Sequence, residues 1–494
     1  MSIFADAKFV TTAFSTYYPV PDDRWSAKKP ALYQHTDLVA YDGLPMFAGD
    51  FTVTELGMAK LCFSALGCVR IFINGHAVDV GEMSPGWTNY HKRVQYMERE
   101  IGAYLTSGKN RLLAVCSPGW YNGRIAGGAY GDNPPAVLVC IRCGDTVVLR
   151  SGGDWRCRVG GRIRTAELYD GEYCDGREMG YEELSLPDTP LDGWNNATLC
   201  DYAGQITPLI GPGVEIRCGL ARQPERITVS DGIEYNGTYF GKAHFCAENA
   251  SLPFALKRGQ RMTVDFGQET VGFVRIRVKS VAGTTVKMRY AEFLNDSGDL
   301  DRGNDGAAGT VYTVNLRSAL GKAYYVTAGD GEEEYRPSFT FFGYRYVEIT
   351  ADRDVTVLGL TAEVVGSDIR ETGHIETSDP LVNQLISNVL WGQRSNYLSV
   401  PTDCPQRNER LGWGGDINVF SRTSTFIADN YDFLRRHMRN LRDLQNTNGM
   451  FPDIAPVNGG FGGFLWGSAG ITVAYEAWRQ SGRTEILEEH YQAM

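Results

Sequence analysis

Pro401-Thr-Asp-Cys-Pro-Gln-Arg-Asn-Glu-Arg-Leu-Gly-Trp-Gly-Gly-Asp416 places three acids, two arginines and a tryptophan within sixteen residues. Its prolines and glycines exclude a continuous helix. Helical patterns flank it on both sides, so the stretch reads as a loop that gathers ionisable groups at the end of a helical scaffold, where catalysis is usually mounted. Asp403, Glu409 and Asp416 are separated by irregular backbone and can converge on one pocket. Carboxylates for acid and base work, a guanidinium such as Arg407 for hydroxyls and an indole such as Trp413 for the apolar face of a ring are what a sugar-cleaving site needs.

Each residue also has a plainer reading. Asp416 directly precedes a predicted helix over Ile417–Phe426 and reads equally well as its N-cap. Asp403 can stabilise a turn through its side chain, Arg407 and Arg410 can be solvated charges, and Trp413 can be a half-buried anchor. A Glu beside two arginines is ordinarily an ionised surface group. For Glu409 to hold a proton, its carboxyl must be desolvated or near another carboxylate, with the arginines aimed elsewhere.

Outward from the loop, Asp379-Pro380 opens a predicted helix with Val382, Leu385, Ile386, Val389 and Leu390 on one face, Asp as cap and Pro at the first position. A second helix is expected from Tyr431 to about Gln445, with Leu434, Met438 and Leu441 inward and Arg435, Arg436, Arg439 and Arg442 on a solvated face. Phe451 to Ser468 reads as a second mouth loop carrying Trp466, before a helix at about Ala469 to Gln480. Residues 486–494 are again helical in pattern.

Upstream the period changes to two. From 41 to 160 short alternating runs such as Val69-Arg-Ile-Phe-Ile-Asn-Gly75 are split by turns, with Asn74-Gly75 a hairpin signal, and the pattern predicts a β-sandwich. From 250 to 365 the alternation returns, one face buried and one wet. The expected divisions are a docked lead-in at 1–40, β domains at 41–249 and 250–368, and a helical domain at 369–494. Within the first β domain, the aromatic loops Pro85–Tyr90 and Pro118–Gly123 suit either a sugar platform or, by the stronger reading, packing against a neighbouring domain.

Composition bounds the rest. A length of 494 residues suits about three domains. A net charge of -11 without a basic run argues against nucleic acid or an anionic membrane as partner. No secretory leader or long apolar run is seen, and eleven scattered cysteines form no disulfide framework, so a cytoplasmic, reducing location is expected. Cys140-Ile-Arg-Cys143 lacks a second ligand pair for zinc, and the acidic, glycine-rich 295–310 stretch lacks the spacing of a calcium loop. No metal or cofactor is expected.

The run from Asp403 to Asp416 resembles the active-site segment of the bacterial α-L-rhamnosidases, inverting glycoside hydrolases with an (α/α)6 catalytic barrel. Pro85–Tyr90, Pro118–Gly123 and Tyr169–Arg177 resemble the N-terminal β domain of that family, and 265–278, 288–300 and 335–349 its concanavalin-like sandwich. The resemblance implies a fold of two β-sandwich domains followed by a barrel, with Glu409 as general acid and Asp403, Arg407, Trp413, Asp416 and Trp466 around the rhamnose. Departures stand at Asn408, Gly414 and Ser468, where the family commonly carries an acid, Thr and an acid.

The resemblance also implies that the barrel is cut short at Met494 and that the general base lies in later helices, so no residue here is assigned to it. An incomplete ring would leave an apolar face, which predicts poor solubility, a homo-oligomer or a second chain completing the barrel. The expected activity is hydrolysis of terminal α-L-rhamnose from glycosides with inversion. The rivals are a catalytically incomplete carbohydrate-binding remnant of the family, and another barrel enzyme such as a glucuronyl hydrolase or a lyase.

Overall fold

Six of the strands between 44 and 143 build two facing sheets: β1 (Leu44–Val53), β2 (Ala59–Leu66), β3 (Cys68–Ile73), β4 (Arg93–Glu100), β5 (Gly108–Ser117) and β6 (Ala136–Cys143). In the computed structural model all residues are described except 1, 2, 5, 14–35, 126–128, 132 and 458. The predicted lead-in around Tyr17 and Lys28 therefore lies outside the described residues.

One sheet centres on β1, β5 and β3, the other on β6, β2 and β4. Asn74 and Gly75 take φ of 51° and 88° and close the tight turn after β3. Phe47 and Phe51 from one sheet meet Leu61, Phe63 and Val139 from the other in a single apolar core.

The second β layer is built from β7 (Gly171–Asp175), β8 (Arg226–Glu234), β9 (Arg261–Lys279), β10 (Thr285–Ala291), β11 (Lys322–Val326), β12 (Phe342–Ala351) and β13 (Val355–Ser367). The first part of the nineteen-residue β9 pairs with β8 and β12 and its last part with β13 and the Glu332–Tyr335 strand, with a register break against β12 between Asp265 and Thr270. Phe266, Phe273, Ile276, Tyr290, Val347 and Leu360 fill the space this bend encloses. Strand β7 runs parallel to β11 and belongs to this layer, although it precedes residue 250 in the chain.

The helical part comprises α1 (Pro380–Asn396), α2 (Gly414–Ile427), α3 (Tyr431–Leu444), α4 (Ala469–Ser481) and α5 (Glu485–His490). Asp379 caps α1, accepting the Leu381 N–H at 2.8 Å, and Pro380 takes the first position, as the sequence predicts. Its apolar stripe, however, is only partly covered: Val382 and Leu385 are exposed. The helix leans on the second sandwich through Trp391, whose ring lies 5.3 Å and 4.6 Å from the guanidiniums of Arg222 and Arg394. In α3, Leu434, Met438 and Leu441 are buried against Val473 and Ala477 of α4 and Ile486 of α5.

The arginine face of α3 corrects the sequence reading. Arg436 is 2% exposed, and donates to the carbonyl oxygens of Ile210, Pro212 and Ser399 at 2.9, 2.8 and 3.2 Å. Arg435 pairs with Glu489 and Arg442 meets His490 at 3.0 Å. From the facing sandwich, buried Arg93 reaches Asp443 at 2.6 Å and Asn440 at 2.5 Å. Charge on a helix face suits water or a ring of carbonyl oxygens equally, and here it docks the helix.

The aromatic loops act in the same way. Trp87 and Trp120 stack at 5.8 Å, both buried; the Trp87 N–H donates to the Ser399 hydroxyl at 2.8 Å, and the Tyr130 hydroxyl reaches the Pro456 carbonyl at 3.3 Å. They are interdomain packing rather than a sugar platform. All eleven cysteines are free, and no helix among the described residues is long and apolar enough to cross a membrane. Replacing Arg93 with Ala leaves Asp443 facing a dry interface, and should lower stability by about 3–5 kcal/mol in chemical denaturation.

Candidate active site

The active loop is folded before it is functional. The Asp403 N–H donates to the Leu411 carbonyl at 3.0 Å, and the Leu411 N–H returns to Asp403 Oδ1 at 2.8 Å, which cinches its base. The exit, Gly412–Trp413, pairs with Ile454–Ala455, where a Cβ on Gly412 would come within 2.1 Å of the Ala455 oxygen. Arg410 is 1% exposed and lies at φ 54°. It donates to the carbonyls of Leu168 and Phe341 at 2.7 and 2.8 Å and to Gln406 and Arg407 of its own loop at 3.0 and 3.2 Å. Expected as a solvated charge, it is the joint between the second β layer and the loop.

On this frame Arg407 forks between two acids, with Nη2 2.9 Å from Asp403 Oδ2 and Nη1 2.5 Å from Glu409 Oε2. Arg317, from the second sandwich, reaches the same Glu409 Oε2 at 3.0 Å. The Trp413 indole N–H donates to Glu409 Oε1 at 2.8 Å, and the Tyr169 hydroxyl to the Glu409 carbonyl at 2.6 Å. Only 13% of the Glu409 side chain and 4% of Asp403 are open to solvent. Desolvation is thus as expected, but of the loop's two arginines only Arg410 is aimed elsewhere: Arg407, joined by Arg317, meets Glu409 Oε2. Trp413 presents its polar edge to Glu409, beyond the apolar platform expected of it.

Burial pushes the Asp403 carboxyl up to about 6, with the Glu409 charge adding to the effect. Asp416 is also raised, by burial first and then by Glu409. It is not an N-cap: α2 begins two residues earlier, at Gly414, with Trp413 as cap, and Asp416 stands in the first turn with its carboxyl near its own N–H. The helix starts early because Gly414 and Gly415 let Trp466 lie against it, a Cβ on Gly415 falling 2.8 Å from the indole. Trp466 is 37% exposed, on a short helical turn at Phe464–Gly467. Ser468 accepts from the Asn418 side chain at 2.9 Å, tying that turn to α2.

A cavity of about 300 Å³ opens between α1 and α2, with Gln393, Asn396, Asp403, Asp416 and Phe420 among its walls. Asp403, Arg407, Glu409 and Trp413 are therefore joined by direct hydrogen bonds, Asp416 shares a wall with Asp403, and Trp466 flanks the start of α2.

Sequence reasoning missed Arg317 and a second acidic pair. Glu292, just after β10, accepts from Asn315 at 2.5 Å and from Gln406 of the active loop at 2.9 Å. Glu269 of β9 lies beside it; burial first, then the neighbouring Glu292, raises the Glu269 carboxyl strongly, and burial raises Glu292 as well. An alternating strand reads such acids as its wet face, and no spacing signal joins them to a loop more than a hundred residues away.

For a metal, Asp403, Cys404 and Glu409 bring ligand atoms within 4.8 Å of one another. The donor set fits a cation poorly, since burial pushes the Cys404 thiol up to about 12 and guanidiniums already hold both carboxylates. In the acidic 295–310 loop, Asp296 is bound to Arg302, Asn304 and Ser297.

Two β layers closing on the loop end of helical hairpins, with acids, an arginine fork and tryptophans on that loop, are the layout of a modular glycoside hydrolase. Three family models match in chain order: the α-L-rhamnosidase N-terminal domain at 54–216, the bacterial α-L-rhamnosidase concanavalin-like domain at 256–366, and the bacterial α-L-rhamnosidase 6 hairpin glycosidase domain at 370–494. An α-L-rhamnosidase of Streptomyces avermitilis is 35% identical over 88% of this chain and 39% of its own length; one of an Alteromonas species is 31% identical over 89% and 45%. The crystal structure of the Streptomyces avermitilis enzyme complexed with L-rhamnose matches at a TM-score of 0.77 and 34% identity, covering 92% of this chain and 41% of that one. The native enzyme of Aspergillus terreus matches at 0.79 and 29%, covering 99% and 51%. The chain belongs to the bacterial α-L-rhamnosidase family. It spans less than half the length of these two curated relatives.

Arg410→Lys keeps the charge but loses the fork that reaches four carbonyls, and should cost about 3 kcal/mol or more in thermal or chemical denaturation. The Glu269–Glu292 pair sets a pH dependence. A carboxyl raised in the folded state stabilises below its unfolded value, and that stability is lost as pH rises through the folded value. Glu269→Gln should therefore raise the melting temperature more at pH 9 than at pH 5, where scanning calorimetry should find a small difference.

Proposed function

We propose that the protein is an α-L-rhamnosidase that hydrolyses terminal α-L-rhamnose from glycosides with inversion, Glu409 being the general acid. The observation that carries this reading is the set of direct hydrogen bonds joining Asp403, Arg407, Glu409 and Trp413 in a largely desolvated cluster. Trp413 holds Oε1 and two guanidiniums hold Oε2, so the Glu409 carboxyl is fixed at both oxygens. Arg407 and Asp403 fix that carboxyl and bound the sugar, while Asp416 and Trp466 line the other side of the ring.

In this reading the first sandwich and the second β layer are the family's two β domains, and the five helices form the first part of an (α/α)6 barrel. The sugar has hydroxyls for the acids and Arg407 and an apolar face for an indole. Inversion requires a second carboxylate about 6.5–9.5 Å from the acid to activate water, and no residue of this chain is assigned to it.

The decisive experiment compares Glu409→Gln with the parent on an α-rhamnosyl glucoside and on 4-nitrophenyl α-L-rhamnoside. The sugar leaving group needs protonation, so its turnover should fall by about 10²–10⁴-fold, whereas the nitrophenolate should lose less. Measurable turnover of the glucoside at the same rate by both proteins refutes the assignment, and release of an unsaturated uronic acid in place of rhamnose refutes the substrate class.

A further inference from the structure

We propose that Arg317, supplied by the second sandwich, is a specificity-determining residue that donates to an oxygen carried by the leaving group beside the glycosidic bond, as a sugar carries and a simple phenol does not. The proposal deepens the rhamnosidase reading and rests on it.

Its first support is position. Arg317 Nη1 stands 3.0 Å from Oε2 of Glu409, the proposed acid. The departing oxygen must approach that carboxyl, which brings the rest of the leaving group toward the guanidinium. Arg317 is also on the open side: 39% of its side chain is exposed, against 24% for Arg407 and 13% for Glu409. Arg407 already pairs with Glu409 from within the loop, so the second guanidinium is not required to hold the carboxyl.

The second support is backbone strain. Arg317 lies at φ 57°, ψ -116°, a conformation that L side chains rarely adopt and that suits glycine. The surroundings enforce it. Leu316 and Ser318 on either side are each 2% exposed. Arg124, from the first β domain, donates to the Ser318 carbonyl and hydroxyl at 3.2 and 3.1 Å, and Asn408 of the active loop donates to the same hydroxyl at 2.7 Å. A strained residue braced from two other parts of the chain, with its side chain directed at the site, is preorganised for a ligand.

Strain also supplies the test, because Arg317→Gly removes the side chain while relieving the backbone. Isothermal titration of the parent and of Arg317→Gly would use L-rhamnose and a sulfur-linked α-rhamnosyl glucoside that resists cleavage. The parent should bind the disaccharide at least tenfold more tightly than rhamnose. Arg317→Gly should lose most of that advantage, change less than threefold toward rhamnose, and melt no lower than the parent; Arg317→Lys should fall between. Retention of the full preference by Arg317→Gly overturns the proposal, as does an equal loss for both ligands. A parent that binds rhamnose no better than glucose defeats the rhamnosidase reading, and this inference with it.

Discussion

The guanidinium of Arg410 is the constraint on which the rest of this molecule turns. It is a fully buried cation whose partners are carbonyl oxygens from three places: the segment before β7, the turn into β12, and the active loop itself. The rings of Phe341 and Tyr169 lie 4.9 and 5.5 Å from it and close the cage. Removing such a charge from water is costly, and only a complete set of acceptors offsets it. The loop therefore reaches its conformation when the second β layer is in place, and the acid one residue before Arg410 inherits its position from it.

That dependence explains why the site is crowded with opposed charges. Asp403, Arg407 and Glu409 alternate in sign across a space where water is largely excluded, with Arg317 at its open edge, so the acids are held by their neighbours rather than by solvent. The Glu269–Glu292 pair extends this lattice into the second sandwich through Gln406, the residue before Arg407. Sandwich and loop thus share one hydrogen-bonded network, and the sandwich is part of the floor of the site.

Local features were legible in the sequence. The Asp379-Pro380 start, the Asn74-Gly75 turn, the two-residue alternation and the inward face of α3 each depend on neighbours within a turn or a strand, and each is present. What could not be read depends on distant partners. Arg436 has the same charge whether it meets water or three carbonyls. Asp416 looked like a cap because Gly414-Gly415 discouraged an earlier helix start, and only the ring of Trp466 reveals why those glycines belong to it. Arg317 lies 92 residues from Glu409 with no pattern to join them. The active loop itself was recognisable as a cluster of chemistry, but the direction of its arginines was not.

The Trp87 and Trp120 stack, the Arg93 clamp on α3 and the Ser318 brace beneath Asn408 all cross from β layers to helical layer. In evolutionary terms, the parts of this chain are poor currency for shuffling. A helical segment transplanted onto foreign sandwiches would carry its acid and lose the neighbours that aim it. Lineages should exchange the whole ensemble or nothing, so genealogies drawn separately from the β and α portions ought to share one branching order.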